Sequence, residues 1–468
     1  MAWLLGNKRK TRGKRPEDLS DVAGCVCQKQ MNCEGEKMPT SPLEKQGVDW
    51  ESAPVSLLAS RTHNPIRTVV EGCKLQPCPA KPMIALSLGD PTVFGNLNPH
   101  EEVICNVIES LKSSKFNGYG PSTGLEEARI AVADYSSTKK VRYHCKDIIL
   151  TNGSSAAIDY CITCLANPGQ NILIPFPGFP LYKTLAESLG IKTKPYNLMP
   201  TKSWMIDLNH LRNQIDENTV AILINNPSNP CGSVFSYQHL QDVLQIAREY
   251  HLPIIADEIY ENMVFRGQEF FPIADLSEDV PILTCSGLSK RFLVPGWRVG
   301  WIKIHDPLDV FTEIRRGLVS ISQKTLGCST IIQGALPKIL TGIPQKYFED
   351  VMDTIEKTAK LAHSMINEVK GLYPIMPQGA MYMMVEVDIA RFPAFKTTLE
   401  LIERMVQEES LFCLPGACFD YPNYMRVVLT LPEELILEAC KRFKDFCGRY
   451  YKDAKDVQQG ESPIISTE

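Results

Sequence analysis

Residues 286–301 read Ser-Gly-Leu-Ser-Lys-Arg-Phe-Leu-Val-Pro-Gly-Trp-Arg-Val-Gly-Trp, an apolar segment bent by proline and glycine that contains Lys290 and, eight residues later, Arg298. Cations in so apolar a setting need a partner. A phosphorylated aldehyde such as pyridoxal phosphate would supply one, because Lys290 could bond to its carbonyl carbon as an imine while Arg298 holds the phosphate. Taken alone, the spacing also fits two solvated charges on a surface loop.

An acidic residue follows residues 253–256, Pro-Ile-Ile-Ala, which predict a short buried strand of a parallel sheet. Asp257 comes directly after this strand, and Tyr260 follows three residues later. Ligands of open α/β sheets bind beyond the carboxyl ends of the strands. Asp257 could therefore reach a cofactor ring nitrogen and Tyr260 a ring oxygen. Asp257 could equally cap the turn that follows.

A second strand, residues 219–224, runs into the loop Asn-Asn-Pro-Ser-Asn-Pro-Cys-Gly at 225–232. Two prolines fix the backbone on either side of Asn229, so its amide could be held rigidly at the sheet edge for a phenolate oxygen. Asn-Pro pairs are also ordinary turn formers, and that alternative stays open.

The segment 147–158 predicts a strand, a turn of small residues and then a helix. Gly153 lets a ligand approach the backbone, and the first helical amides, with Ser154 and Ser155, present donors to an anion. The same pattern also describes an ordinary serine-capped helix.

These four segments, in this order, resemble the fold-type I pyridoxal-phosphate aminotransferases, and the resemblance extends over about residues 50–450. It is also carried by residues 60–67, 88–92, 119–124, 167–169, 177–179, 202–204 and 425–428. The family implies a cofactor, pyridoxal 5'-phosphate, and a homodimer with shared active sites. It also implies small-molecule substrates, an amino acid and a 2-oxo acid.

Position by position, the resemblance implies three catalytic residues. Lys290 would be the lysine that bonds to the cofactor and then moves the substrate proton. Asp257 would keep the ring nitrogen protonated, and Tyr260 would contact the phenolic oxygen. The remaining cofactor-binding positions implied by the family are Asn229, Arg298, Ser154, Ser155, Phe179 and, from the neighbouring subunit, Tyr119. The substrate-binding positions are Arg426, Gly89 and Asn229, with Arg426 holding the α-carboxylate.

The resemblance implies transfer of the amino group of L-tyrosine to 2-oxoglutarate. Alternatives are a broader aromatic or alanine aminotransferase, a pyridoxal-dependent lyase that cleaves C–S bonds, and a non-catalytic descendant. The last is disfavoured because Lys290, Asp257 and Arg426 are all present. The chain departs from many relatives at Gly287, where they carry a phosphate-binding serine, and no motif identifies a residue for the distal carboxylate of 2-oxoglutarate.

Composition agrees with a large cytoplasmic enzyme of 468 residues, with 44% hydrophobic residues and a net charge of -5, which does not favour nucleic acid or membrane binding. The sixteen cysteines are scattered, so we expect reduced thiols, with Cys161 and Cys164 as small helix residues. We expect no metal site, since no zinc pattern is present. Residues 1–45, which begin with a basic run, and 452–468 are expected to be disordered.

The predicted fold is α/β, with a large domain at 96–345 and a smaller α+β domain made of 46–95 and 346–451. The large domain should hold a mostly parallel, seven-stranded sheet covered by helices on both faces. Its predicted strands lie near 147–150, 171–175, 191–196, 219–225, 253–257, 281–285 and 298–304. Gly89 and Arg426 would then meet in the cleft between the domains.

Overall fold

Strands and helices alternate through most of the chain. The structure is a computed structural model that describes residues 53–72 and 76–453. Its strands are β1 (Ile84–Ala85), β2 (Ile148–Thr151), β3 (Asn171–Phe176), β4 (Lys192–Met199), β5 (Met205–Ile206), β6 (Thr219–Asn225), β7 (Ile254–Asp257), β8 (Ile282–Gly287), β9 (Gly300–His305), β10 (Leu372–Pro374), β11 (Tyr382–Val387), β12 (Leu411–Phe412), β13 (Leu414–Pro415) and β14 (Tyr424–Val428). Its α-helices are α1 (Leu57–Arg61), α2 (Pro65–Gly72), α3 (Glu101–Lys112), α4 (Glu126–Ser136), α5 (Ser154–Leu165), α6 (Leu181–Ser188), α7 (Leu208–Gln214), α8 (Tyr237–Glu249), α9 (Thr312–Ser322), α10 (Thr330–Gly342), α11 (Gln345–Asn367), α12 (Thr398–Glu409) and α13 (Glu433–Tyr450).

The largest sheet has the strand order β2-β9-β8-β7-β6-β3-β4-β5. Pairing is parallel from β4 through β3, β6 and β7 to β8, whereas β9 runs antiparallel to both β8 and β2. The prediction of a mostly parallel sheet is confirmed, and all seven predicted strands occur. The described residues add β5, a two-residue antiparallel strand at the edge that is too short to produce a detectable alternation.

Helices cover both faces of this sheet because successive residues of each buried strand point to opposite sides. In β6, Ile222 and Ile224 pack in one apolar cluster with residues of α7 and α8. Ala221 and Leu223 pack in another cluster with residues of α5, α6 and α9. The continuous apolar run of β6 is therefore explained by burial on both faces.

A smaller antiparallel sheet has the order β10-β11-β14-β13 and packs with α11, α12 and α13 in one apolar core. Its register places Arg426 of β14 opposite Met384 of β11 and Leu414 of β13. A third, two-stranded sheet pairs β1 with β12 in parallel. The smaller sheet thus fixes the position of Arg426 from both sides.

The carboxyl ends of the central strands meet at one edge of the large sheet. Asn225 at the end of β6 is in register with Asp257 at the end of β7, and Asp257 with Cys285 of β8. On the other side of β8, Gly287 is paired with Gly300 of β9, which in turn pairs with Thr151 of β2. The loops that follow these strands therefore open on a common space.

From Val55 onward the described chain forms one compact unit. The boundaries predicted within it, at 95/96 and 345/346, stay a proposal. The tails predicted at 1–45 and, beyond residue 453, at the carboxyl terminus lie outside the described residues. No helix in the part of the chain that the structure describes is long and apolar enough to cross a membrane.

Candidate active site

Asp257 ends strand β7 at the bottom of the candidate site, and its side chain is buried. One carboxylate oxygen, Oδ2, accepts from the Tyr182 hydroxyl at 2.6 Å, and Oδ1 accepts from the Ile259 amide at 3.2 Å. The second bond caps the turn that follows β7, so the structural role of Asp257 that the sequence also allowed is present beside its place in the site. Burial raises the pKa of Asp257 to about 6, against the opposing effects of these two bonds and of Lys290.

Lys290 lies in the loop that follows β8, and its Nζ atom donates to the Gly89 carbonyl at 2.6 Å. The same Nζ lies 6.0 Å from the centre of the Tyr260 ring. Two predicted residues from distant parts of the chain, Lys290 and Gly89, are therefore in direct contact. Because the ammonium group is only partly buried, it can be approached from the open side of the site.

Arg426 on β14 is buried at 3% exposure and is held by neutral oxygens. Its Nη1 donates to Asn229 Oδ1 at 2.8 Å, and its Nη2 donates to the Ser87 carbonyl at 2.8 Å. No salt bridge to Arg426 occurs within residues 53–72 and 76–453, and its Nε has no hydrogen-bond partner there. Burial lowers the pKa of Arg426. A buried guanidinium without a counter-ion is a binding site for a carboxylate.

The loop after β6 holds Asn229 in place to meet this arginine. The backbone N–H of Asn229 donates to Asn225 Oδ1 at 2.7 Å, and Asn225 Nδ2 donates to the Asp257 carbonyl at 3.0 Å. This chain of bonds connects the ends of β6 and β7. The predicted rigid position of the Asn229 side chain is thus built from asparagine contacts as well as from the flanking prolines.

Gly153, Ser154 and Arg298 come together at the start of α5. Gly153 has φ 78°, and a Cβ built on it would lie 2.4 Å from Arg298 Nη2. The Arg298 guanidinium donates to the carbonyls of Pro295 at 2.9 Å and Asn152 at 3.2 Å, and it remains solvent-exposed. Ser154 and Ser155 form the first turn of the helix. The first amides of α5, two hydroxyls and a guanidinium therefore form a cluster of donors suited to a phosphate.

Phe179 precedes α6 and makes an edge contact with Tyr182, with 5.7 Å between the ring centres. Tyr182 in turn donates to Asp257, so Phe179 belongs to the same group of side chains. Tyr119 does not join this group, because its side chain is 96% exposed on the surface of the chain. Its predicted role requires a neighbouring subunit and stays a proposal.

At Gly287, where the family resemblance led us to expect a serine, the structure leaves no room for a side chain. A Cβ would lie 2.7 Å from the Val299 carbonyl and 2.8 Å from Gly300 Cα. Ser286 is fully buried, and its hydroxyl donates to the Glu258 carbonyl at 3.4 Å. The close approach of β8 and β9 therefore explains why glycine stands here.

Sequence reasoning missed two tyrosines of the site, Tyr182 and Tyr382. Tyr382 begins β11, and its hydroxyl lies 2.8 Å from the hydroxyl of Tyr260. Neither tyrosine belongs to a motif, since each reaches its partner through the tertiary fold. The position of Tyr182, one turn beyond Phe179, was the available sign that it shares the face of α6 that covers the sheet.

The residues present fit pyridoxal phosphate on several observations of this structure. Asp257 is a buried carboxylate, and among the described residues no lysine or arginine forms an ion pair with it, which suits a protonated ring nitrogen. Lys290 provides an amine, and the Gly153–Arg298 cluster provides donors for a phosphate. No group of three or more metal-ligating side chains is present in the described ranges. No disulfide bond joins the cysteines of the described residues.

The family model for aminotransferase class I and II matches residues 81–443. The chain belongs to this family, and it is therefore an aminotransferase. It is 48% identical to the tyrosine aminotransferase of Mus musculus over 443 residues, which cover 94% of this chain and 97% of the mouse protein. The structure is similar to a tyrosine aminotransferase from Leishmania infantum, with a TM-score of 0.82, 33% identity, and coverage of 86% of this chain and 100% of the other.

A relative with a different printed activity is an S-alkyl-thiohydroximate lyase of Arabidopsis thaliana. It is 34% identical over 377 residues, which cover 80% of this chain and 81% of the lyase. The family therefore includes proteins named for lyase chemistry at moderate identity. Membership of the family therefore does not by itself identify the substrate of this chain.

Proposed function

We propose that the chain transfers the amino group of L-tyrosine to 2-oxoglutarate, forming 4-hydroxyphenylpyruvate and L-glutamate in two half-reactions. The observation that carries this proposal is Arg426, a buried guanidinium without a carboxylate partner in the described residues, in the same site as Lys290. Both substrates carry an α-carboxylate that such a group would bind. The names of the mouse and Leishmania relatives support L-tyrosine as the amino donor.

The cofactor of this proposal is pyridoxal 5'-phosphate. When bound, it supplies a carbonyl carbon that bonds to amines and a ring that accepts electrons. Arg298, Ser154 and Ser155, with the first amides of α5, would hold its phosphate. Asp257 and Tyr260, together with Asn229, would hold the ring nitrogen and the phenolic oxygen, and Phe179 would cover the ring face.

Lys290 would take the proton from the α-carbon of the substrate, because its Nζ is held beside the entrance by the Gly89 carbonyl. Burial raises the pKa of Asp257, whereas the positive charge of a protonated ring nitrogen beside it would favour the ionised carboxylate. A buried carboxylate at this position stabilises positive charge on the ring nitrogen while the proton is removed. Arg426 would orient the substrate so that the α-proton faces Lys290.

The active form in this proposal is a homodimer in the cytoplasm. Tyr119 supports the dimer, since an aromatic side chain that is 96% exposed on one chain could contact the phosphate site of its partner. The cysteines of the described residues form no disulfide bonds, which is consistent with a reducing compartment. Measurement of the mass in solution, followed by co-expression of Tyr119→Ala chains with Lys290→Ala chains, tests the shared site. A mixed dimer should have one intact site, and therefore about half of the activity of the unmodified dimer.

The reaction is tested with purified protein and four amino donors: tyrosine, phenylalanine, alanine and cystathionine, each with and without 2-oxoglutarate. A transaminase turns over only when the acceptor is present, whereas a lyase forms its oxo acid from cystathionine without the acceptor. We expect turnover to be fastest with tyrosine and to depend on 2-oxoglutarate. Acceptor-independent cleavage of cystathionine as the main activity would contradict the proposal.

Lys290→Ala tests the role of the lysine in this assay, and Lys338→Ala is its matched control. Lys290→Ala should abolish transamination and the covalent cofactor link that borohydride makes permanent, while Lys338→Ala, at an exposed lysine paired with Glu109, should change neither. Retention of a borohydride-reducible link in Lys290→Ala would show that another lysine is the reactive amine.

A further inference from the structure

Tyr382 connects two parts of the candidate site that have separate roles. Its side chain is 2% exposed at the start of β11, where the smaller sheet meets the site. The guanidinium carbon of Arg426 lies 4.3 Å from the centre of its ring. Its hydroxyl lies 2.8 Å from the hydroxyl of Tyr260. A Cβ built on Gly89 would lie 2.5 Å from this hydroxyl. The phenol therefore lies against Gly89, the residue whose carbonyl accepts from Lys290.

The ring of Tyr382 stabilises the buried positive charge of Arg426, as a carboxylate partner would otherwise do. The guanidinium lies between the rings of Tyr382, at 4.3 Å, and Phe419, at 5.2 Å. Aromatic faces attract a desolvated cation without using its N–H groups. Arg426 is therefore stabilised in a buried position while its Nε–H, which has no partner within the described residues, stays available for a substrate carboxylate.

The hydroxyl of Tyr382 determines what the hydroxyl of Tyr260 can do. Each phenol has a single proton, and either of the two can be the donor of their shared bond. Tyr260 can donate to another oxygen only when Tyr382 donates to Tyr260. Hydrogen bonds in such a chain strengthen one another when they run in the same direction. Tyr382 thereby supports donation from Tyr260 into the site.

We propose that Tyr382 is a positioning residue that links carboxylate binding to the chemistry at the cofactor oxygen, with the ring acting on Arg426 and the hydroxyl on Tyr260. This inference rests on the proposed function, because Arg426 and Tyr260 have these roles only in an aminotransferase reaction. The two halves of the side chain can be removed one at a time. The effects on substrate binding and on the cofactor should separate accordingly.

Tyr382→Phe removes the hydroxyl and keeps the ring. We expect kcat to fall by about tenfold, which corresponds to the loss of one hydrogen bond in a buried site, with KM for tyrosine changed less than about twofold. The pH midpoint of the absorption change of the bound cofactor should rise, because its phenolic oxygen loses part of its donor. Equilibrium binding of 3-phenylpropionate, an unreactive carboxylate, should stay the same.

Tyr382→Leu removes the ring as well. We expect binding of 3-phenylpropionate to weaken by about 5–30-fold, and KM for tyrosine and for 2-oxoglutarate to rise together, since the cation–π contact is lost. Tyr424→Phe is the matched control. Its hydroxyl bonds to Glu386 on the neighbouring strand, and within the described residues it makes no hydrogen bond to Arg426 or Tyr260, so none of these quantities should change.

An unchanged kcat and an unchanged absorption midpoint in Tyr382→Phe would overturn the inference, and this variant keeps the buried ring, so it should fold. Unchanged 3-phenylpropionate binding in Tyr382→Leu would overturn the part that concerns Arg426. Failure of the proposed function is distinguishable, because the unmodified protein itself would then neither bind 3-phenylpropionate nor transaminate.

Discussion

Replacement of Lys303 by methionine tests the buried charge cluster behind the site. Lys303 of β9 is 4% exposed, and its Nζ lies 3.6 Å from Glu258 Oε2 and 3.5 Å from Glu261 Oε2. At an effective dielectric constant of about 20, a pair of unit charges at this distance attracts by about 5 kcal/mol. Removal of one member of a buried ion pair typically costs about 3–5 kcal/mol. We therefore expect Lys303→Met to lower the free energy of unfolding by about 3–5 kcal/mol at pH 8.

The loss should depend on pH in a defined direction. Burial raises the pKa of Glu258 from 4.5 to about 7 in the folded chain, although Lys303 opposes this. A carboxyl with a raised folded pKa stabilises the protein fully below pH 4.5 and loses that contribution as pH rises through 7. Without Lys303 the folded pKa rises further. The difference between the two proteins should therefore be larger at pH 8 than at pH 5.5.

The assay is urea unfolding followed by circular dichroism at both pH values, at equal protein concentrations because subunit association adds to stability. Lys338→Met is the control, since Lys338 is paired with Glu109 on the surface and such pairs contribute about 0–1 kcal/mol. A loss in Lys303→Met no larger than in the control, or equal at pH 5.5 and pH 8, would refute the reasoning.

Three further predictions concern the ring nitrogen, the β8–β9 contact and the amino-terminal segment. Asp257→Asn should keep the fold but slow α-proton removal by at least about 10²–10³ in stopped-flow single turnovers, because the anion beside the ring nitrogen is lost. Gly287→Ser should lower stability by about 1–3 kcal/mol in thermal unfolding, since its Cβ would lie 2.7 Å from the Val299 carbonyl. Deletion of residues 1–45 should leave turnover, melting temperature and dimer mass unchanged, because the segment lacks apolar periodicity.

Each of these can fail in a recognisable way. Near-normal single turnovers in Asp257→Asn would mean that another carboxylate serves the ring. A Gly287→Ser protein as stable as the parent would show that β8 and β9 can move apart at no cost. A marked change in any of the three quantities after the deletion would move the predicted boundary away from residue 45.

The strands and the residues at their ends were predictable because both depend on local sequence. An apolar run such as β7, followed at once by Asp257, indicates a carboxylate at the carboxyl end of a buried strand without knowledge of its neighbours. The alternation of strands and helices predicts a parallel sheet, in which the carboxyl ends of the strands lie at the same edge. The same reasoning applied to Lys290 and Asn229, each in a loop after a strand of this sheet.

Contacts between distant segments were not predictable in this way. Tyr182 meets Asp257 across 75 positions of sequence, and Tyr382 meets Tyr260 across 122. Nothing in the residues beside either tyrosine specifies these partners. Lys303 is similar, because alternation along β9 places it only on the face opposite Ile302 and Ile304, and the two glutamates that balance its charge come from a different loop.

The residues that bond to Arg426 lie far before it in the sequence, so they are synthesised well before Arg426. Arg426 bonds to Asn229, 197 positions earlier, and to Ser87, 339 positions earlier. At about 5–20 residues per second, a ribosome that has made Asn229 needs roughly 10–40 s more to reach Arg426. Strand β7 with Asp257, and the loop after β8 with Lys290, are therefore synthesised before Arg426. A nascent chain could capture the phosphorylated cofactor well before it could select an amino acid.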